Sequence, residues 1–295
     1  EPTFQLSEKV QAAAFRVHPY HHQVIGDMAD LKTMTRDDLY NHYKSYYAPN
    51  NAVLAVAGDF EGAEMLEKIE NYFGGIPAAQ APTRLSRPEP APSGETRLTV
   101  EGTGETTYVQ ACYPFPAASH PDFFPLTLLD SLLSGPSNLN RFSGGISNKT
   151  SRLYRALVEK ELAVAIYGGA QATIDPYPYS VIMVVNAERD AEDALAALDD
   201  EIARVQDAQV SAEEVERALK QARALFAYRS ESITNQAFWL GYAEMFADYD
   251  WFLTYLDKLS EVTPEDVRRV AQEYFQPKSR IVGTYLPAKK EVADE

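Results

Sequence analysis

The chain has 295 residues, 45% of them apolar, and carries 43 Asp and Glu against 27 Lys and Arg, a formal net charge of -16. That length allows two domains, each with its own core, while the acidic balance excludes nucleic acid and an anionic membrane surface as partners, since both need clustered cations. No apolar run reaches the roughly 18 residues that span a bilayer, so no membrane partner is expected, and the lone Cys112 excludes an intrachain disulfide framework and a cysteine-rich zinc site.

The chain opens at Glu1-Pro2, without an initiator Met, a signal-peptide pattern or a tag, and runs directly into a helical pattern, QLSEKVQAAAF. This start reads as a cut from something larger. HPYHHQVIGD, residues 18–27, then places His18, His21 and His22 at i, i+3, i+4, the spacing of metal ligands on a helix. Pro19 breaks that helix, and no acid stands among the three histidines to serve as general base. A turn leading to Gly26 is expected instead.

TRDDLYNHYKSYYAPNNAVLAVAG, from Thr35, matches TPEDVRRVAQEYFQPKSRIVGTYL, from Thr263, at fixed offsets. Thr with Asp three residues on (Asp38, Asp266) is a capping box. Leu39 and Val267 begin the apolar spacing of a helix, and Tyr46-Tyr47 and Tyr274-Phe275 dock its last turn. Pro49 and Pro277 stop it, and a β-like run follows, AVLAVAGDF in one copy and RIVGTY in the other. Two copies of one domain are implied, with the same packing in each. Residues 95–262 precede the second copy but only 1–34 precede the first, so a large N-terminal piece of the first domain is expected to be missing.

GAEMLEKIENYFGGIP continues as an amphipathic helix with Leu66, Ile69 and Phe73 on one face, ended by Gly74-Gly75. Residues 78–94, rich in proline, form an extended linker. Strands are expected in TRLTVEG, TYVQACYPFP and YSVIMVVNA. Helices are expected in DFFPLTLLDSLLSG, SNKTSRLYRALVEKELAVAI, EDALAALDDEIARVQ, SAEEVERALKQARALFAY and the Trp-containing segment with AFWLGYAEMFADYDWFLTYL. Without regular βαβ alternation, the fold class is α+β: antiparallel sheet packed on helices, in two homologous units of which the first is truncated at its N-terminus.

Standard nucleotide and hydrolase templates fail. There is no P-loop, GTGETT lacks the third glycine of a dinucleotide fingerprint, and G-x-S-x-G, H-E-x-x-H and H-x-x-E-H are all absent. Asp37-Asp38 and Asp199-Asp200-Glu201 read as solvated helix faces, the sequon Asn148-Lys149-Thr150 as fortuitous, and the stripe Phe238, Trp239, Tyr242, Phe246 as core. The stretch SGPSNLNRFSGGISNKT, residues 134–150, is a long Gly, Ser and Asn loop between helices, a placement that favours function.

HPYHHQVIG, the capped helix, YYAPNNAVLAVAGDF and the helix closing in FGGIP together resemble the C-terminal half of the first domain in the pitrilysin and insulinase family of zinc metallopeptidases, which includes the mitochondrial processing peptidase. SRLYRALVEKELA and VTPEDVRRVAQEYFQP resemble its second domain. The resemblance implies residues 1–77 as the C-terminal part of a peptidase-type domain, 78–94 as linker, 95–288 as a second, noncatalytic domain that encloses substrate, and 289–295 as a tail. It also implies a clamshell of two such halves around an extended peptide, with zinc held by H-x-x-E-H and a later Glu. This chain lacks that motif, and the third ligand falls before Pro2, so Glu1 is not expected to be it. No catalytic residue, metal ligand or cofactor is expected here. Zinc is expected in the complete parent or a partner, and this segment is expected to be inactive alone.

In zinc-free partner subunits of the family an Arg and a Tyr grip substrate. The corresponding positions here are Val158 and Val164, with Tyr167 the alternative in a shifted register. The glycine-rich loop handles substrate in the noncatalytic mitochondrial subunit, which points to Arg141, Phe142, Gly144 and Gly145 as substrate-binding residues, with positive φ accessible at the glycines. Expected partners are the peptide, the missing catalytic part, and a homologous second subunit or a second copy. The alternative is a structural subunit like the core proteins of respiratory complexes.

Overall fold

The computed structural model describes residues 1–80, 82–84, 87–137, 139 and 149–288. In chain order the first part holds α1 (Pro2–Ala14), α2 (Met28–Thr33), α3 (Arg36–Tyr46) and α4 (Gly62–Phe73). The second holds β1 (Thr96–Gly102), β2 (Tyr108–Tyr113), α5 (Phe123–Leu133), β3 (Ala163–Gly169), β4 (Tyr179–Val185), α6 (Ala191–Asp207), α7 (Ala212–Ser230), α8 (Ile233–Phe246), α9 (Tyr249–Ser260), α10 (Pro264–Tyr274) and β5 (Ile281–Pro287). The capping boxes read from sequence all form. At Thr35, Ser211 and Thr263 the hydroxyl accepts the backbone N–H three residues on, and the acid there accepts the cap's own N–H.

The strands form one sheet in the order β1-β5-β2-β4-β3. All neighbours are antiparallel except β1 and β5, which run parallel and make the expected antiparallel sheet a mixed one. Side chains alternate across it as the pleat demands. Tyr179, Val181, Met183 and Val185 of β4 enter the main core, with Val109, Ala111 and Tyr113 of β2. Every residue of α5 is buried in that core, and the stripe Trp239, Tyr242 and Phe246 packs into it as expected.

The other face of the sheet is covered by α1. Leu6 and Val10 are buried there with Cys112 and Tyr285. The helix comes close because β5 carries Gly283 beneath it: a Cβ on that glycine would lie 2.4 Å from Val10 Cγ2. A helix expected to serve the first unit is thus part of the packing of the second.

Four expectations need correction. Residues 147–166 are not one helix. A π-helical turn, Tyr154–Val158, is followed by Glu161 at φ 57, and Ala163 onward is strand β3, paired to β4. The apolar spacing of the helix ran on into the strand without a Gly or Pro to mark the change. Second, AVLAVAGDF makes no ladder: a strand needs a neighbour for its N–H and C=O groups, and among the described residues there is none. Third, α2, α3 and α4 contain no buried residue, so the first copy does not pack as the second does. Finally, the acids at 199–201 are not simply solvated. Glu201 is buried beside Arg152 and Arg204, and Asp199 accepts from the buried Arg280.

Candidate functional site

On the α1 side of the sheet a cavity of about 380 Å³ lies between α1 and strands β2, β4 and β3. Helical spacing along α1 brings Ser7, Gln11 and Ala14 to its wall, and the pleat brings Gln110, Ser180, Ile182 and Tyr167 to its floor. Ser7 Oγ donates to Gln110 Oε1 at 3.0 Å, and Gln110 Nε2 donates to Ser180 Oγ at 2.9 Å. Gln11 Oε1 accepts from Gln23 Nε2 at 2.7 Å and from the Tyr177 hydroxyl at 3.3 Å. Burial pushes the Cys112 thiol up to about 11, so it is neutral there.

The histidine segment builds the neighbouring wall. Pro19–His21 is a single 3-10 turn, and Gly26 follows at φ 76, the turn expected from sequence. His18 Nδ1 accepts the N–H of Tyr20 at 3.1 Å, while its Nε2 lies 3.4 Å from Asp175. His21 Nδ1 lies 2.6 Å from the Phe15 carbonyl. The linker holds this turn. Glu89 accepts three successive backbone N–H groups, of Arg16, Val17 and His18, at 2.7 to 3.0 Å. Burial raises that carboxyl, but the three donors outweigh it and hold its pKa below the ordinary value. Arg84 meets Asp175 at 2.7 Å from the same linker. The residues present therefore do not fit the zinc that the resemblance implies. Both nitrogens of His18 and the Nδ1 of His21 face other partners, and among the described residues no group of three His, Cys, Asp or Glu is arranged around a metal position.

At its far end the cavity meets the stem of the 134–150 loop. Ser134 Oγ hydrogen-bonds the Tyr179 hydroxyl at 2.8 Å, Ser137 Oγ donates to Asp130, and the N–H of Ala172 donates to the Leu139 carbonyl at 2.8 Å. Gly168 lets this stem lie flat on β3, since a Cβ there would sit 1.9 Å from Ser134 Oγ. Ser137 and Leu139 line the cavity. Arg141, Phe142, Gly144 and Gly145 lie outside the described residues. Val158 is partly buried against the core, and Val164 is exposed. Tyr167 reaches the cavity.

Sequence reasoning did not find Asp130, Ser7, Gln11 or Gln110. Asp130 is fully buried, and burial pushes its carboxyl up to about 7 against the hydrogen bonds from Ser137, Tyr179 and the Ala170 N–H. One signal was available: a charged residue in the middle of the apolar helix LTLLDSLL.

Residues 33–222 match the family described as Peptidase M16 inactive domain. The zinc protease PqqE of Helicobacter pylori is 25% identical over 274 residues, covering 89% of this chain and 57% of its own length. The mitochondrial-processing peptidase subunit beta of Lentinula edodes is 24% identical over 287 residues, 93% of this chain and 60% of its own. The crystal structure of a protease from Helicobacter pylori superposes with a TM-score of 0.87 at 23% identity, covering 97% of this chain and 67% of that one. The chain spans about three fifths of the length of the curated relatives it matches. By the extent of the family match, which runs across the proline-rich linker, the chain belongs to the peptidase M16 family and carries its inactive domain.

Proposed function

We propose that this chain is the noncatalytic portion of a zinc metallopeptidase, working by peptide enclosure and scaffolding, with zinc and the H-x-x-E-H motif supplied by an N-terminal catalytic part or a homologous subunit. Residues 1–77 are the C-terminal part of the peptidase-type domain and 95–288 the noncatalytic domain. The observation that carries this reading is the bare apolar face of the first copy. Leu39, Tyr43, Tyr46, Tyr47, Leu54 and Val56 are all exposed, although their counterparts after Thr263 belong to a sheet and its covering helix. Large apolar side chains left exposed in this number mark an interaction site, and the sheet absent from the first unit is the occupant they fit.

The neutral cavity beside α1 supports enclosure, since it opens on the sheet face that lacks the thick helical layer. The assignment of Arg141, Phe142, Gly144 and Gly145 to substrate rests on the resemblance, and it is supported only by the described residues at the base of that stretch, Ser137 and Leu139, which line the cavity. That one relative is named a subunit supports a partner chain.

The test is reconstitution. The purified chain, alone and joined to an M16 catalytic part bearing H-x-x-E-H from the same source, is assayed on quenched fluorescent peptides with and without a zinc chelator. The expected result is no turnover by the chain alone and chelator-sensitive turnover by the assembly. Hydrolysis by the chain alone, or a catalytic part equally active without it, overturns the reading.

A further inference from the structure

The cavity beside α1 stands out in its charge. In a chain with 24% charged residues, its lining contains, among the described residues, no Asp, Glu, Lys, Arg or His. Its polar groups are amides and hydroxyls together with the neutral Cys112 thiol, drawn from α1, β2, β3, β4 and the segments beside them. Several are already tied together: Ser7, Gln110 and Ser180 form one chain of hydrogen bonds across the sheet, and Gln11, Gln23 and Tyr177 another. Fixed in this way, they present a wall of set dipoles rather than mobile surface side chains. Gln171, just after β3, and Tyr167, in β3, add a further amide and a hydroxyl to the same lining.

We propose that this cavity is a subsite for an uncharged hydrogen-bonding side chain, of the glutamine, asparagine, serine or threonine class, on the peptide that the protein encloses. The inference rests on the enclosing role above and adds a selectivity to it. An entering Lys or Glu side chain loses its hydration and finds no counterion among the described lining residues, a cost of several kcal/mol for an unpaired charge. An aliphatic side chain displaces water from the amide groups without replacing its hydrogen bonds, and polar sites reject such analogues. An amide or hydroxyl can exchange hydrogen bonds with the amides and hydroxyls of the lining. The volume, about 380 Å³, lies in the range of roughly 300–1,000 Å³ usual for ligand sites and accommodates one such side chain with its backbone.

The test uses the full 295-residue chain and four fluorescein-labelled nonapeptides of identical neutral sequence, differing only in a central Gln, Leu, Glu or Lys. Binding is read by fluorescence anisotropy. The Gln peptide is expected to bind at least fivefold more tightly than the Glu and Lys peptides, and more tightly than the Leu peptide. Gln110→Glu should reverse the order in favour of Lys. Because a charge in that position can weaken the fold, Ser180→Ala serves as a second variant, expected to lose affinity for the Gln peptide two- to threefold and none for the Leu peptide. Equal affinity for all four peptides overturns the subsite while leaving the enclosing role intact. Binding of none of them overturns the enclosing role, and the subsite with it.

Discussion

The segments Thr35–Asp59 and Thr263–Pro287 take the same local path. Their N-cap residues have φ, ψ of -99, 166 and -97, 160, their C-caps -98, 68 and -94, 54, and in both a 3-10 turn starting at proline follows. Their environments are opposite. Leu39 is 58% exposed and Val267 0%; Tyr47 is 69% exposed and Phe275 1%. Val282, in β5, pairs on both sides, whereas Leu54 has no ladder at all. Caps and prolines therefore write local conformation without help from the rest of the molecule, but burial and strand pairing depend on what covers the element. A helix without that cover keeps its shape and contributes little to global stability.

The largest effect that can break this comparison comes from the aromatic at each helix end. Phe275 stacks on Tyr113 at 4.8 Å between ring centroids and lies 5.2 Å from Tyr179. Phe275→Ala should lower unfolding free energy by about 3–5 kcal/mol, whereas Tyr47→Ala should change it by less than about 0.5 kcal/mol. Urea unfolding followed by the fluorescence of Trp239 and Trp251, both in the second core, reads this directly. Similar losses for the two variants would show that the first copy is covered after all. Joining the catalytic part should raise the cost of Tyr47→Ala toward that of Phe275→Ala.

A second difference is in pH response, because the second core contains an ionisable group at its centre. Burial holds the Asp130 carboxyl up at about 7, above its unfolded value near 3.8. Below pH 4 both states bind the proton. Between pH 4 and 7 the unfolded chain releases it while the native state keeps it, so this group's contribution falls as pH rises and is flat above pH 7. At about 1.4 kcal/mol per unit, the upper bound is near 4 kcal/mol. Asp130→Asn keeps an acceptor for Ser137 and removes the titration. The gap between wild type and variant in urea unfolding should move in the variant's favour from pH 4 to pH 7. A gap independent of pH would place the carboxyl in contact with water.

What the sequence makes legible follows the same division. The starts of α3, α7 and α10 are fixed by side chains three residues apart, and β2 and β4 by apolar and β-branched runs, so each can be read from a short window. The end of the turn at Val158 could not, since it is set by Glu161 in a left-handed conformation and by the pairing of β3 with β4. The parallel placement of β1 beside β5 joins the two ends of the second unit and has no local signature. The cavity is more hidden still. Ser7 and Gln110 meet across 103 positions of sequence, and nothing in either neighbourhood distinguishes a wall residue from an ordinary surface amide. The buried role of Glu201 depends likewise on Arg152, far away in sequence.

The smallest predicted effect is also the cleanest comparison, because the two capping boxes use the same Thr and Asp pair. In each, the hydrogen bond from threonine holds the carboxyl of Asp38 or Asp266 below its ordinary pKa, and in Asp266 the nearby Arg269 adds to it. Thr263→Ala removes a cap from a helix whose Val267, Val270 and Ala271 are buried, so about 1 kcal/mol should be lost from the whole unfolding transition. Thr35→Ala removes the same cap from a helix that buries nothing. Its loss should stay local, seen as faster amide exchange in the first turn of α3 with the urea midpoint unchanged. Since both carboxyls have folded pKa values below the unfolded ones, the caps contribute fully at neutral pH and weaken as pH falls through the folded value. The difference between wild type and Thr263→Ala should therefore shrink between pH 5 and pH 3. If Thr35→Ala shifts the midpoint as far as Thr263→Ala does, α3 is coupled to the core, and the contrast between a covered and an uncovered copy fails.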